Sequence, residues 1–125
     1  ILLKSNPDLI HILFNFSLPD RINLKEYMNK NFRFNISLEK FAFFTGRSLS
    51  TFKRDFQRIF GMAPGTWLKK KRLQEAYFQI AEQSRKPSDV YLEVGFEDLS
   101  HFSFAFKKEF GKTPNEIAKP VSNRI

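Results

Sequence analysis

With 125 residues, 42% of them apolar and sixteen of them Phe, the chain is long enough to pack one or two small domains. Lys and Arg (21) exceed Asp and Glu (13) by eight and the isoelectric point is near 9.9, so the natural partner is nucleic acid or an anionic membrane surface, with acidic small molecules a weaker third class. The absence of Cys excludes disulfides, thiolate metal sites and cysteine catalysis, and no apolar run approaches the roughly 18 residues of a membrane span. The two histidines, His11 and His101, stand far apart in the sequence, and no Gly-rich phosphate loop or metal-ligand spacing occurs. No catalytic residue, metal or cofactor is therefore expected.

Apolar residues recur three or four apart along most of the chain and nowhere alternate, which predicts an all-α fold. A first short helix is expected from Pro7 to about Phe16, with Leu9, Ile10, Leu13 and Phe14 along one side and Ser17, Pro19 and Asp20 breaking it. The next begins after Asn23, with Glu26 three residues on, and turns Leu24, Tyr27, Met28 and Phe32 inward. Ser37 caps SLEKFAFFTG, where Leu38, Phe41, Ala42 and Thr45 share a face and Gly46 ends the helix; Ser48 caps the one that follows. Phe43 points away from that face, either onto the first short helix or toward a partner domain. Gly61 closes the helix from Leu49, and Pro64 opens a long helix through roughly Gln83, its buried stripe Trp67, Leu73, Ala76, Tyr77 and Ile80. Lys86 and Pro87 mark a fresh start for a helix in PSDVYLEVGF, Glu97 or Asp98 caps the next, and Thr113, Pro114 and Glu116 carry the signature of a last short helix.

The stretch Leu49 to Pro64, LSTFKRDFQRIFGMAP, recurs fifty residues later as LSHFSFAFKKEFGKTP, Leu99 to Pro114, with the same residue at seven matched positions. Each copy follows a short helix and a Gly-led turn, which is the helix-turn-helix pattern. Upstream of the repeat the offset drops to forty-nine, since Gly46 pairs with Gly95 and Ala42 with Tyr91, so the second turn is one residue longer. With the Phe stripe inward, the first copy offers Ser50, Lys53, Arg54 and Gln57 outward. Arg54 can grip guanine O6 and N7 with two bonds, and Lys53 suits a base or a phosphate equally. The second copy offers Ser100, Ser103, Phe104 and Lys107, with His101 at the flank. Phe104 is compatible with a thymine methyl or sugar, with another protein surface, or with no role at all. Arg47, Lys69, Lys70, Arg72, Lys86, Lys108 and Lys112 are candidates for phosphate contacts. A linker of about twenty residues spans roughly 30 Å, near the 34 Å between successive major grooves on one face of DNA.

These residues resemble a known family. The run VYLEVGFEDLSHFSFAFKKEFGKTP, Val90 to Pro114, with Gly95-Phe96, Ser100, Phe102, Phe106-Lys107, Phe110-Gly111 and Thr113-Pro114 in order, is similar to the DNA-binding domain of AraC/XylS-type transcription regulators, over roughly Ser37 to Ala118. The resemblance implies a domain of about seven helices in which two helix-turn-helix subdomains, joined by a long linker helix, enter adjacent major grooves of double-stranded DNA. It further implies a bacterial, cytoplasmic, nucleoid-associated regulator with an N-terminal effector or dimerisation domain beyond this chain, and RNA polymerase as a partner if it is an activator. The family usually has Ala where Tyr91 stands, Arg where Phe104 stands, and an aromatic followed by Arg at Ile117 and Ala118. An unequal pair is expected, with Lys53 and Arg54 carrying more specificity than the second helix.

The organisation expected is a connector over 1–20, a first subdomain over 21–65, the linker helix over 63–83, a second subdomain over 84–120 and a tail over 121–125; the first residue is Ile, in keeping with a piece of a longer protein. The alternative reading is a helical protein-interaction module with incidental basic charge, anchored by Phe43 and Phe104.

Overall fold

A computed structural model describes residues 22–118, and over these the chain is helical throughout, without strands. The helices are α1 (Leu24–Asn31), α2 (Leu38–Phe44), α3 (Leu49–Phe60), α4 (Pro64–Ala81), α5 (Pro87–Val90), α6 (Leu99–Phe110) and α7 (Pro114–Ile117). The expected helix at Pro7 to Phe16 and the tail lie outside the described residues. Local chemistry sets nearly every boundary. Asn23 Oδ1 accepts from the Glu26 amide at 2.9 Å, Ser37 caps α2 through the Lys40 amide, and Ser48 caps α3 through that of Thr51. Thr113 and Glu116 close a reciprocal capping box at the start of α7, behind Pro114. Gly61 and Gly111 end α3 and α6 in the left-handed conformation, with φ of 76° and 80°.

The chain divides into two compact units. Of the described residues, the first comprises 22–30 and Ile36–Pro64, and the second Asn31–Asn35 and 65–118. In the first, Leu24, Met28, Phe41, Ala42, Phe52 and Phe56 are buried, with Tyr27 edge-on to Phe41 at 6.5 Å. In the second, one cluster joins Leu73, Ala76 and Ile80 of α4 to Val90, Val94, Phe96, Phe102, Ala105 and Phe106. The long helix is therefore mainly a wall of the second unit's core.

That helix runs 18 residues and stops at Ala81, short of Gln83. Its buried face is shifted from the expected stripe: Leu68 and Gln79 are buried, Trp67 is half-buried, and Tyr77 lies at the edge with its ring 4.8 Å from Phe110 and 6.0 Å from Phe106. A Tyr ring is long enough to cover the core while its rim stays wet. The segment after α1 is tied to α4 by Arg72, whose Nε donates to the Phe32 carbonyl at 2.7 Å and whose second terminal nitrogen donates to that of Phe34 at 2.8 Å.

Candidate nucleic-acid interface

Each recognition helix is held by a turn of the same construction. Between α2 and α3, the Thr45 amide bonds Phe41 O, that of Gly46 bonds Phe43 O and that of Arg47 bonds Ala42 O, at 3.2, 3.0 and 2.9 Å. Between α5 and α6, Val94 to Val90 O, Gly95 to Leu92 O and Phe96 to Tyr91 O repeat the set at 3.1, 3.1 and 2.9 Å. The forty-nine-residue offset thus holds through the turn. The extra residue is Glu97, just before the helix: Asp98, not Glu97, caps α6 through the Ser100 and His101 amides, and Glu97 Oε2 accepts from Asn35 Nδ2 at 2.6 Å. The expected longer connection is present, and its physical use is a side-chain tether. The short helix expected in PSDVYLEVGF shrinks to four residues before turning, and Lys86 at its start makes no side-chain cap where Ser37 does.

The two units differ most in what fixes the recognition helix. In the first, the Arg47 guanidinium donates from Nε to Asp55 on α3 at 2.8 Å, and from one terminal nitrogen to the carbonyls of Thr45 at 2.9 Å and Ile22 at 3.1 Å. Both side chains of the pair are buried, at 7% and 8% exposure. The Arg47 hydrogen bond, above all, holds the Asp55 carboxyl below the ordinary carboxylate range against the upward push of burial, with Arg58 adding a weaker pull. At the matching places in the second unit stand Phe96 and Ala105, both buried members of its apolar cluster. Phe96 meets Phe102 edge-on at 5.2 Å. A buried ion pair in one copy is replaced by an aromatic contact in the other. Tyr91, where Ala42 stands in the first unit, is accommodated half-buried, 6.4 Å from the Phe102 ring.

The outward faces are placed as the periodicity predicts. Ser50, Lys53, Arg54 and Gln57 are all exposed, at successive three- and four-residue steps on α3. On α6, Ser100, His101, Phe104 and Lys107 are exposed and Ser103 is half-buried. The stripes correspond residue for residue, so Phe104 occupies the place of Arg54 and Ser103 that of Lys53. Arg54 rests against the Thr51 hydroxyl at 3.5 Å.

The phosphate candidates divide. Lys69, Lys86, Lys108 and Lys112 are exposed, and Lys70 is exposed but lies 3.6 Å from a Glu109 carboxylate oxygen. Arg47 and Arg72 are corrected: both guanidinium groups are committed to internal partners, so each is part of the scaffold. A charged side chain beside a Gly-led turn reads in sequence as a surface contact. The register comparison carries the contrary signal, because Arg47 and Asp55 both become apolar in the second copy. Asp55 is the scaffold residue that sequence reasoning passed over.

Among the described residues no group of His, Asp or Glu has metal-binding geometry, and no helix is long and apolar enough to cross a membrane.

Two turn-linked helix pairs, each presenting its second helix outward, define a double helix-turn-helix protein. A family model described as a helix-turn-helix domain matches residues 41–119, and the chain belongs to that family, the AraC-type regulators. The virulence regulon transcriptional activator VirF of Yersinia enterocolitica is 30% identical over 93 residues, which is 74% of this chain and 34% of the relative. The chain thus spans about a third of the length of such curated relatives. Among solved structures, a probable AraC family transcriptional regulator from Rhodopseudomonas palustris shares 30% identity at a TM-score of 0.63, covering 78% of this chain and 94% of that one. The DNA-binding domain of AdpA, a global transcriptional factor solved in complex with a target DNA, shares the fold at a TM-score of 0.72 and 21% identity, covering 81% and 91%.

Proposed function

We propose that this chain is the DNA-binding part of a bacterial transcription regulator, which places α3 and α6 in major grooves of duplex DNA and selects its site through their outward side chains. One observation carries the reading. Two 12-residue helices, each with a side-chain cap at the start and a left-handed Gly at the end, keep the same buried Phe frame and turn register-matched stripes outward. A major groove about 12 Å wide admits such a helix and presents a distinct pattern for each base pair. The AdpA domain, solved with DNA, supports the reading through its fold. The 18 residues of α4 correspond to about 27 Å, which is of the order of one turn of B-DNA and favours successive grooves.

On this reading Arg54 grips guanine, Lys53 serves a base or a phosphate, and Ser50 and Gln57 complete the first contact. Ser100, Ser103, Phe104 and Lys107 form the second, flanked by His101. Lys69, Lys70, Lys86, Lys108 and Lys112 bind phosphates, Lys70 after releasing Glu109. The chain binds and does not catalyse. It acts in the cytoplasm on the nucleoid, as part of a longer protein whose N-terminal domain senses an effector or dimerises, and as an activator it engages RNA polymerase.

The test is a fluorescence-anisotropy titration of the chain on duplex DNA over a salt series. With about five phosphate contacts, log affinity falls with log salt at a slope near −4.5, roughly 500-fold between about 50 and 200 mM. Absence of binding at 50 mM overturns the reading in favour of a protein-interaction module.

A further inference from the structure

Phe104, at 67% exposure, is the most exposed large apolar side chain among the described residues, and it sits at the centre of the polar face of α6. One turn away on the same helix lie Ser100, His101, Lys107 and Lys108, all exposed. Beside the ring is a shallow groove of about 500 Å³ lined by Phe104, Ser103, Lys107, Lys108 and Thr113. Thr113 reaches it because the capping box that starts α7 lies only two residues past Gly111. An apolar floor is therefore edged by ammonium groups, on the helix face that matches the Arg54 stripe of α3.

That combination fits one feature of a duplex. On the major-groove edges of the bases the thymine C5-methyl is the apolar group, and it lies between two rows of phosphates. An Arg at this place would find two acceptors on guanine; a phenyl ring has no donor to offer and gains only by covering carbon. We infer that Phe104 is a specificity-determining residue that reads a thymine methyl, with Lys107 beside it in the groove and Lys108 holding a neighbouring phosphate. The inference rests on the proposed placement of α6 in a major groove. It makes the two half-sites chemically different: guanine is selected opposite Arg54, and thymine opposite Phe104.

The experiment uses duplexes selected by this chain from a random pool, with deoxyuridine replacing each thymine in turn, so that only the methyl is removed. In the half-site covered by α6, one replacement lowers affinity about fourfold, the effect of uncovering one methyl. Phe104→Ala lowers affinity for the thymine duplex by a similar factor and binds the thymine and deoxyuridine duplexes equally. Phe104→Arg moves the preference at that position to guanine. Because the side chain is exposed, both variants keep the parent's melting curve by circular dichroism.

If the parent binds the selected duplex with a steep salt dependence while no deoxyuridine and no Phe104 variant changes affinity, the inference falls and the proposed function stands. If the parent shows neither salt-dependent nor sequence-dependent binding, both fall together.

Discussion

Arg47 and Asp55 show how the same fold constraint is met twice with different chemistry. In the first unit a buried ion pair fixes α3 against its turn, and in the second Phe96 and Ala105 occupy those places within an apolar cluster. Removing one member of a buried pair strands the other, so Asp55→Ala lowers stability by about 3–5 kcal/mol in a denaturant titration. Because the folded carboxyl titrates below its ordinary value, its contribution is complete above that value and is lost as pH falls through the folded one. Acid melts of the parent therefore steepen below about pH 4, and those of Asp55→Ala steepen less, since Glu75, Glu93 and Glu116 are also held below the ordinary carboxylate range. In DNA binding, Arg54→Ala costs about 1–3 kcal/mol of affinity on a selected duplex, and Ser103→Ala, with one short hydroxyl, costs less. Equal or reversed losses contradict the unequal pair. Exposed residues such as Arg54 and Phe104 were legible in the sequence because helical period alone decides which face they occupy. Arg47 and Arg72 were not, because a long cation's destination depends on carbonyls and carboxylates brought near by tertiary folding.

The helices were legible in proportion to how locally they are determined. Ser37, Ser48 and Thr113 each bond the amide three residues ahead of the cap, and such signals survive any tertiary arrangement. Between Glu97 and Asp98 the sequence left a choice; in the structure Asp98 accepts the two amides, while Glu97 accepts from the distant Asn35. Asp98 accepts two amides at the start of α6, so Asp98→Ala lowers the melting free energy by about 1 kcal/mol, whereas Glu97→Ala removes only one exposed hydrogen bond and costs less. The stripe of α4 was displaced for a related reason. Period predicts a face, and which edge of it faces the core depends on what packs there. Gly95 illustrates a constraint beyond period: its φ is 112°, and an added Cβ would lie 2.6 Å from Arg72 Nε. Gly95→Ala therefore destabilises more than Gly61→Ala, whose added methyl meets nothing within 4 Å and adds only the left-handed backbone strain of about 1–2 kcal/mol.

Across the whole molecule, the duplicated Phe frame and the surplus of eight positive charges point the same way. The linker read from sequence as a spacer is also the core wall of the second unit, so packing constrains it residue by residue at Leu73, Ala76 and Ile80. Salt dependence separates scaffold from contact: Lys112→Ala lowers the slope by about 0.9, while Arg47→Ala lowers the melting point without entering the slope through a lost phosphate.

Selection of bound duplexes from a random pool by this chain shows whether one chain reads two grooves. Two recognition helices in successive grooves give a bipartite motif, two short blocks about 10 base pairs apart from centre to centre, with guanine fixed in the block lost on Arg54→Ala. A single block, or no enrichment at all, would contradict it.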